Sequence, residues 1–122
     1  MTVALPDFRL VRPASVAEAL AARRGEGLAR FMAGGTDMIP AVRRGLVAPA
    51  TLIDVSGIAE MRGIAIEGDT LRIGAAATLA EIESDPLVRR HLAGLAEAAA
   101  AVAGPTHRES ATVGGNLCLD TR

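Results

Sequence analysis

Two stretches of this chain join paired glycines to small polar side chains: Met32-Ala33-Gly34-Gly35-Thr36-Asp37 and Ala111-Thr112-Val113-Gly114-Gly115-Asn116. Glycine lets a main chain approach a ligand closely, and its N–H groups with neighbouring hydroxyls donate to phosphate oxygens. Diphosphate binding is the chemistry these residues suit. A lone Gly-Gly is more often a tight turn that needs positive φ. Two in one short chain, each led by apolar residues, point to a dinucleotide gripped from two sides. A helix opening near Thr36 would aim unpaired amides and its dipole at an anion. In the second motif Thr112 and Asn116 add a hydroxyl and an amide.

Other chemistries are poorly supplied. Neither glycine pair sits in a G-x-G-x-x-G fingerprint, and no P-loop lysine follows, since the chain has no Lys at all. There is no paired-carboxylate set, no Ser-His-Asp arrangement and no metal-spaced histidine set, so redox chemistry here must belong to a cofactor. His107 and Arg108, just before the second motif, stand where a phosphate or ring could be met, but such a pair is by default solvated. His91, beside Arg89 and Arg90, reads as an exposed face. Cys118 reads as a small hydrophobe, an iron–sulfur ligand or a bystander; alone it cannot hold a cluster, which needs about four thiolates.

The whole chain sets bounds on these readings. Its 122 residues, half of them apolar, suffice for one modest core. A net charge of −1 with only two Phe and no Trp or Tyr argues against nucleic acid or an anionic membrane surface. The single cysteine excludes an internal disulfide and suits a reducing compartment. Pro6, Asp7, Arg9 and Arg12 interrupt the N-terminus where a secretory signal would be apolar. The longest apolar run, near 95–104, is broken by Glu97 and falls short of the ~20 residues that span a bilayer. The expectation is a cytoplasmic protein without membrane insertion.

Elements must place the two motifs. Ser15 and Glu18 form a capping box for a helix striped by Val16, Ala19 and Leu20 and stopped at Gly25 and Gly27. Ala29–Ala33 reads as a strand leading into Gly34-Gly35. A second helix is expected from Thr36 or Asp37, with Met38, Ile39, Val42 and Leu46 facing inward, then a buried strand over 51–55. This alternation predicts an α/β lobe with parallel pairing over residues 1–57.

Residues 58–122 read as the beginning of a second, mixed lobe. Gly63–Glu67 and Thr70–Gly74 alternate with period two about Gly68-Asp69, a hairpin pattern. Thr78 and Glu81 cap a short helix. Asp85-Pro86 opens a longer one striped by Val88, Leu92, Leu95, Ala99 and Val102, ended by Gly104-Pro105. Residues 111–122 lead out of a Gly-Gly turn with no helix or strand expected, and a lone hairpin lacks sheet partners. The fold class is therefore α+β, and the chain reads as a truncated, N-terminal fragment.

Four ordered blocks carry a resemblance that covers nearly the whole chain. They are Ala33–Pro40, Leu52-Ile53-Asp54, Ile73–Leu79 and Ala111–Leu117. They resemble the FAD-binding subunits of the molybdenum hydroxylase family, which includes xanthine dehydrogenase and aerobic carbon monoxide dehydrogenase. Gly104–Arg108 departs from the family's commoner Gln-Ile-Arg-Asn stretch. With Asn116–Arg122 it looks most like the β subunit of the 4-hydroxybenzoyl-CoA reductase branch, where a following loop holds a [4Fe–4S] cluster. The resemblance implies the two-lobed PCMH-type, vanillyl-alcohol-oxidase-like FAD-binding fold, here incomplete. By match, Met32, Ala33, Gly34, Gly35, Thr36 and Asp37 would meet the FAD diphosphate from one lobe. Ala111, Thr112, Gly114, Gly115 and Asn116 would meet it from the other, with Thr78 nearby and Cys118 as a candidate cluster ligand. It further implies electron transfer within a heteromeric complex. Its partners would be a molybdopterin-binding large subunit and a [2Fe–2S] small subunit, with substrate chemistry on the former. Two alternatives stay open: a generic xanthine or carbon monoxide dehydrogenase-type subunit, and an assembly module that holds no flavin.

Overall fold

The computed structural model describes residues 4–25 and 27–119. Strands β1 (Arg9–Val11), β2 (Ala29–Met32) and β3 (Thr51–Asp54) form a parallel sheet in the order β1–β3–β2. Val11 and Phe31 both lie opposite Ile53 of the central strand. Helix α1 (Val16–Gly25) joins β1 to β2, and α2 (Met38–Arg43) joins β2 to β3. Parallel neighbours require such crossovers, which is why strands and helices alternate here. The sequence pattern misses β1: three mostly exposed residues carry no period-two signal, and only pairing with β3 makes them a strand.

Ser15 caps α1 as its sequence predicts, its Oγ accepting the Glu18 N–H at 3.1 Å while the Glu18 carboxylate accepts the Ala14 N–H at 2.8 Å. A second carboxylate, Glu60 Oε1, accepts the Val16 N–H at 2.6 Å. This helix start is thus closed from a distant segment that no local pattern reveals. Against one sheet face, Ala19 of α1 packs with Ala29, Ile53, Val55 and Ile58. Leu52, alternating to the other face, is fully buried, as is Val42 of α2. Burying each such side chain stabilises by ~1.5–3 kcal/mol, enough for a four-residue strand to hold its register. Leu46 corrects the expected inward stripe. Helix α2 stops at Arg43, and Leu46 lies beyond it, 70% exposed.

Beyond β3 come a 3₁₀ turn at Ala59–Met61 and an antiparallel hairpin, β4 (Ile64–Glu67) and β5 (Thr70–Ile73), closed by Gly68-Asp69. Its lack of further strands is met by helices: Ile64, Leu71 and Ile73 pack onto a core of Ala77, Leu79, Ile82, Val88, Ala96, Ala99 and Ala111. Helix α3 (Leu79–Ser84) is capped by Thr78, whose Oγ1 accepts the Glu81 N–H at 3.1 Å.

The long helix expected after Pro86 is two. Leu92 leaves helical geometry at φ −138°, ψ 57°, dividing α4 (Pro86–His91) from α5 (Ala93–Ala100). The break sets Val88 and Ala96 into one core and leaves Leu92, expected in the stripe, 44% exposed. Pro105 is also more than a stop. It opens α6 (Pro105–Ser110), because proline's fixed φ and missing N–H suit a first helical turn. The Gly-Gly pair expected in a turn lies in a further helix, α7 (Val113–Leu117). Asp120, Thr121 and Arg122, part of the sequence resemblance, lie outside the described residues. Among the described residues no helix is long and apolar enough to cross a membrane.

Candidate functional site

Strand β2 ends at Met32 with its carbonyl accepting the Val55 N–H at 2.9 Å, and the chain then turns through Gly34-Gly35 into α2. Gly35 makes that turn at φ +76°, a conformation that side-chain-bearing residues rarely adopt. Gly34 is needed for a different reason. A Cβ there would overlap the Ser110 carbonyl and sit 3.1 Å from the Ala111 nitrogen. The first motif therefore rests directly on the chain entering the second. None of the amides of Gly34, Gly35, Thr36 and Asp37 donates to another of the described residues. Asp37 precedes α2 without a side-chain cap bond.

The second motif is built by pairing with a segment well before it in the chain. Residues 111–114 run antiparallel to 75–79: Leu79 N–H donates to Ala111 O at 2.9 Å, Val113 N–H to Ala77 O at 2.9 Å and Gly114 N–H to Ala75 O at 2.8 Å. Thr78 and Thr112 face each other in this bridge. Gly114 permits it, since a Cβ would lie 2.7 Å from the Ala75 carbonyl. Thr112 caps α7, its Oγ1 accepting the Gly115 N–H at 3.0 Å.

This corrects the expectation that both glycine pairs offer free amides. The Gly114 and Gly115 N–H groups are spent within the protein. What the second motif leaves available is the Thr112 N–H and hydroxyl hydrogen and the Asn116 carboxamide.

A cavity of about 1030 Å³ runs beside β2 and is bordered by both motifs, at the upper end of the usual ligand-pocket range. Its wall includes Met32, Ala33, Gly34, Gly35, Thr36 and Asp37, together with Ala111, Thr112, Gly114, Gly115, Asn116 and Cys118. Thr78 lies instead in the wall of a second cavity of about 690 Å³, which shares Met32, Ala33, Gly34, Ala76 and Thr112 with the first. Two motifs whose glycine pairs lie 80 positions apart in the sequence thus converge on one wall.

Other predicted residues fall elsewhere. Arg108 is neither solvated nor aimed at a ligand. Its Nε donates to Glu83 Oε2 at 3.2 Å, and its Nη1 to the carbonyls of Val102 and Ala103 at 3.1 and 2.9 Å. His107 borders neither cavity, and His91 is exposed. Cys118 is exposed, and among the described residues no three His, Cys, Asp or Glu side chains gather as a metal site.

Sequence reading overlooks Ser110, whose carbonyl seats Gly34, and the cavity wall given by Leu20 and Arg23 of α1 and by Arg30 and Phe31 of β2. The two glycines and small residues at 74–77 hint at close approach. The α1 wall leaves no local signature.

Residues 6–122 match the family described as the FAD binding domain in molybdopterin dehydrogenase. The chain belongs to this family. It is 37% identical over 108 residues to the xanthine dehydrogenase FAD-binding subunit of Escherichia coli O157:H7, a match covering 88% of this chain and 37% of that one. It is 39% identical over 113 residues to the carbon monoxide dehydrogenase medium chain of Hydrogenophaga pseudoflava, covering 92% and 39% respectively. Among solved structures, carbon monoxide dehydrogenase from H. pseudoflava lacking the Mo-pyranopterin moiety superposes with a TM-score of 0.91 at 38% identity, over 93% of this chain and 40% of that one. Quinoline 2-oxidoreductase from Pseudomonas putida 86 gives 0.89 at 31% identity over the same shares. The chain thus spans about two fifths of the length of these relatives. The mixed helix and strand architecture is that of the family's FAD-binding subunits.

Proposed function

We propose that this chain provides the diphosphate-gripping part of an FAD-binding electron-transfer subunit in a molybdenum-cofactor oxidoreductase. The observation that carries this is the row of unspent amides at Gly34–Asp37, facing a cavity that the second motif closes. Those amides, with the start of α2 behind them, receive the diphosphate. The Thr112 hydroxyl and the Asn116 carboxamide meet it from the other lobe. Gly114 and Gly115 act by geometry, the first holding α7 close to Ala75 and the second lying against the Thr112 hydroxyl, so that Thr112 and Asn116 border the cavity. Thr78 borders the cofactor from the second cavity. Bound FAD supplies two-electron redox chemistry with one-electron exits.

The partners in this reading are a molybdopterin-binding large subunit, where substrate reacts, and a [2Fe–2S] small subunit, all in the cytoplasm. The medium-chain and FAD-subunit names of the relatives support it. A narrower reading places the chain with the 4-hydroxybenzoyl-CoA reductase branch, resting on residues 104–108 and 116–122, with Cys118 as a [4Fe–4S] ligand. Identities of 37–39% to xanthine and carbon monoxide dehydrogenase subunits favour the generic member instead.

The test is flavin and iron analysis of the purified protein that contains this chain, in its complex. One FAD per chain is expected, and none would leave only an assembly role. Four iron atoms beyond those of the small subunit would select the reductase branch. Residues 1–122 alone are expected to hold FAD weakly, and tight stoichiometric binding by them would show that the pocket is complete without the rest.

A further inference from the structure

We propose that Arg108 is a positioning residue that sets the second motif against the first, holding α6 to α3 and to the α5–α6 link. The proposal rests on the FAD reading for its functional consequence, but its geometry stands alone. The Arg108 side chain is only 12% exposed, and three bonds fan out from it. One reaches Glu83 in the last turn of α3, and two reach the carbonyls of Val102 and Ala103. Ala103 is the non-glycine residue at positive φ, +45°, among the described residues, a strained conformation that persists only when its surroundings hold it. A planar guanidinium can serve a carboxylate and two carbonyls at once, and an ammonium cannot reproduce that fork.

The consequence follows along the chain. Helices α3 and α6 both adjoin the Thr78–Thr112 bridge: α3 starts at one strand of it, and α6 ends at the other. The Ala111 N–H donates back to His107 O at 2.9 Å, so the end of α6 sets where the second motif begins. Glu83 and Arg108 join the two helices away from the bridge and close the frame. If α6 shifts, Ser110 shifts with it, and Ser110 is the seat of Gly34. The brace therefore acts on both cavity walls although Arg108 borders neither cavity.

The experiment compares Arg108→Lys, Glu83→Gln and Val88→Ala in the full protein. Val88 is fully buried in the same helical core and borders neither cavity. FAD dissociation is followed by flavin fluorescence and visible circular dichroism, with thermal melting alongside. Arg108→Lys is expected to weaken FAD binding at least tenfold and alter the flavin dichroism, and Glu83→Gln to weaken it by less. Val88→Ala is expected to melt as low or lower while keeping FAD affinity within about twofold. Unchanged affinity in Arg108→Lys, or an equal loss in Val88→Ala, overturns the proposal. Should the wild-type protein take up no FAD, the cofactor reading fails, and hydrogen exchange then decides the brace by itself. Arg108→Lys is expected to speed exchange at the Ala111 and Val113 amides about tenfold, and unchanged protection there refutes it.

Discussion

At the residue scale, the two glycines of the first motif are required for different reasons and should fail differently. A methyl on Gly34 meets backbone that cannot swing aside, and overpacking of this kind costs about 3 kcal/mol at its upper range. A methyl on Gly35 meets only side-chain atoms, Ile39 Cγ1 and Met32 Sδ, at 3.3 and 3.5 Å, so its cost is mainly the left-handed backbone, roughly 1–2 kcal/mol. Gly34→Ala is therefore expected to lower the melting temperature about twice as far as Gly35→Ala and to abolish FAD retention. Equal melting shifts would mean that Gly34 does not bear on Ser110. Thr112 accepts from Gly115, and in the proposed function its hydroxyl hydrogen also meets the diphosphate. Thr112→Ala should cost about 1 kcal/mol of capping and weaken FAD, while Thr112→Ser keeps both functions near wild type. Calorimetric melting and flavin titration of the two variants check this. Both glycine pairs are plain in the sequence. That one pair's amides are free and the other's are spent is not, because the Ala75 carbonyl that takes the Gly114 N–H is brought there by the fold.

At the element scale, the caps are legible because their donors and acceptors lie within four residues. Ser15, Thr78 and Asp85 each accept the amides that their spacing predicts, Asp85 serving both Leu87 and Val88 at 2.9 and 3.1 Å. Asp85→Ala should cost ~1–2 kcal/mol and show as a lower midpoint in urea with unchanged slope. Where helices end is less legible. A stripe continuing to Leu46 and through Leu92 fits helical spacing, yet α2 stops at Arg43 and α4 at His91. Leu46→Glu is accordingly expected to alter stability by less than about 0.5 kcal/mol, because Leu46 is largely exposed, while the carboxylate it adds to the wall of the first cavity should weaken FAD. A loss above 2 kcal/mol would show Leu46 to be buried in the working protein. The cause of these misreadings is physical. Periodicity reports which side chains could share a face, whereas the stopping point depends on what that face meets.

At the scale of the whole molecule, two cores joined by the turn at Ala59–Met61 carry one motif each, and the cavity lies where they meet. A ligand that touches both motifs must stabilise the contact between the two cores as well as each core. FAD at one hundred times its dissociation constant should add about 2.7 kcal/mol and raise the melting temperature in one cooperative step. Separate transitions that FAD leaves unmoved would place the cofactor on one lobe only. The charged residues in the wall of the first cavity are Arg23, Arg30 and Asp37, which favours an anionic guest. By itself the sequence determined the local chemistry: the glycine pairs, the caps, the hairpin, the alternation that yields parallel strands, and the ordered blocks of the family. These are decided within a few residues, by backbone sterics, hydrogen-bond reach and apolar periodicity. Only the tertiary structure decided that β1 is a strand, that Glu60 closes α1, that Arg108 is a brace, and that Ser110 seats Gly34. Each of those depends on a partner far along the chain, and sequence spacing says nothing of a distance that folding alone makes short.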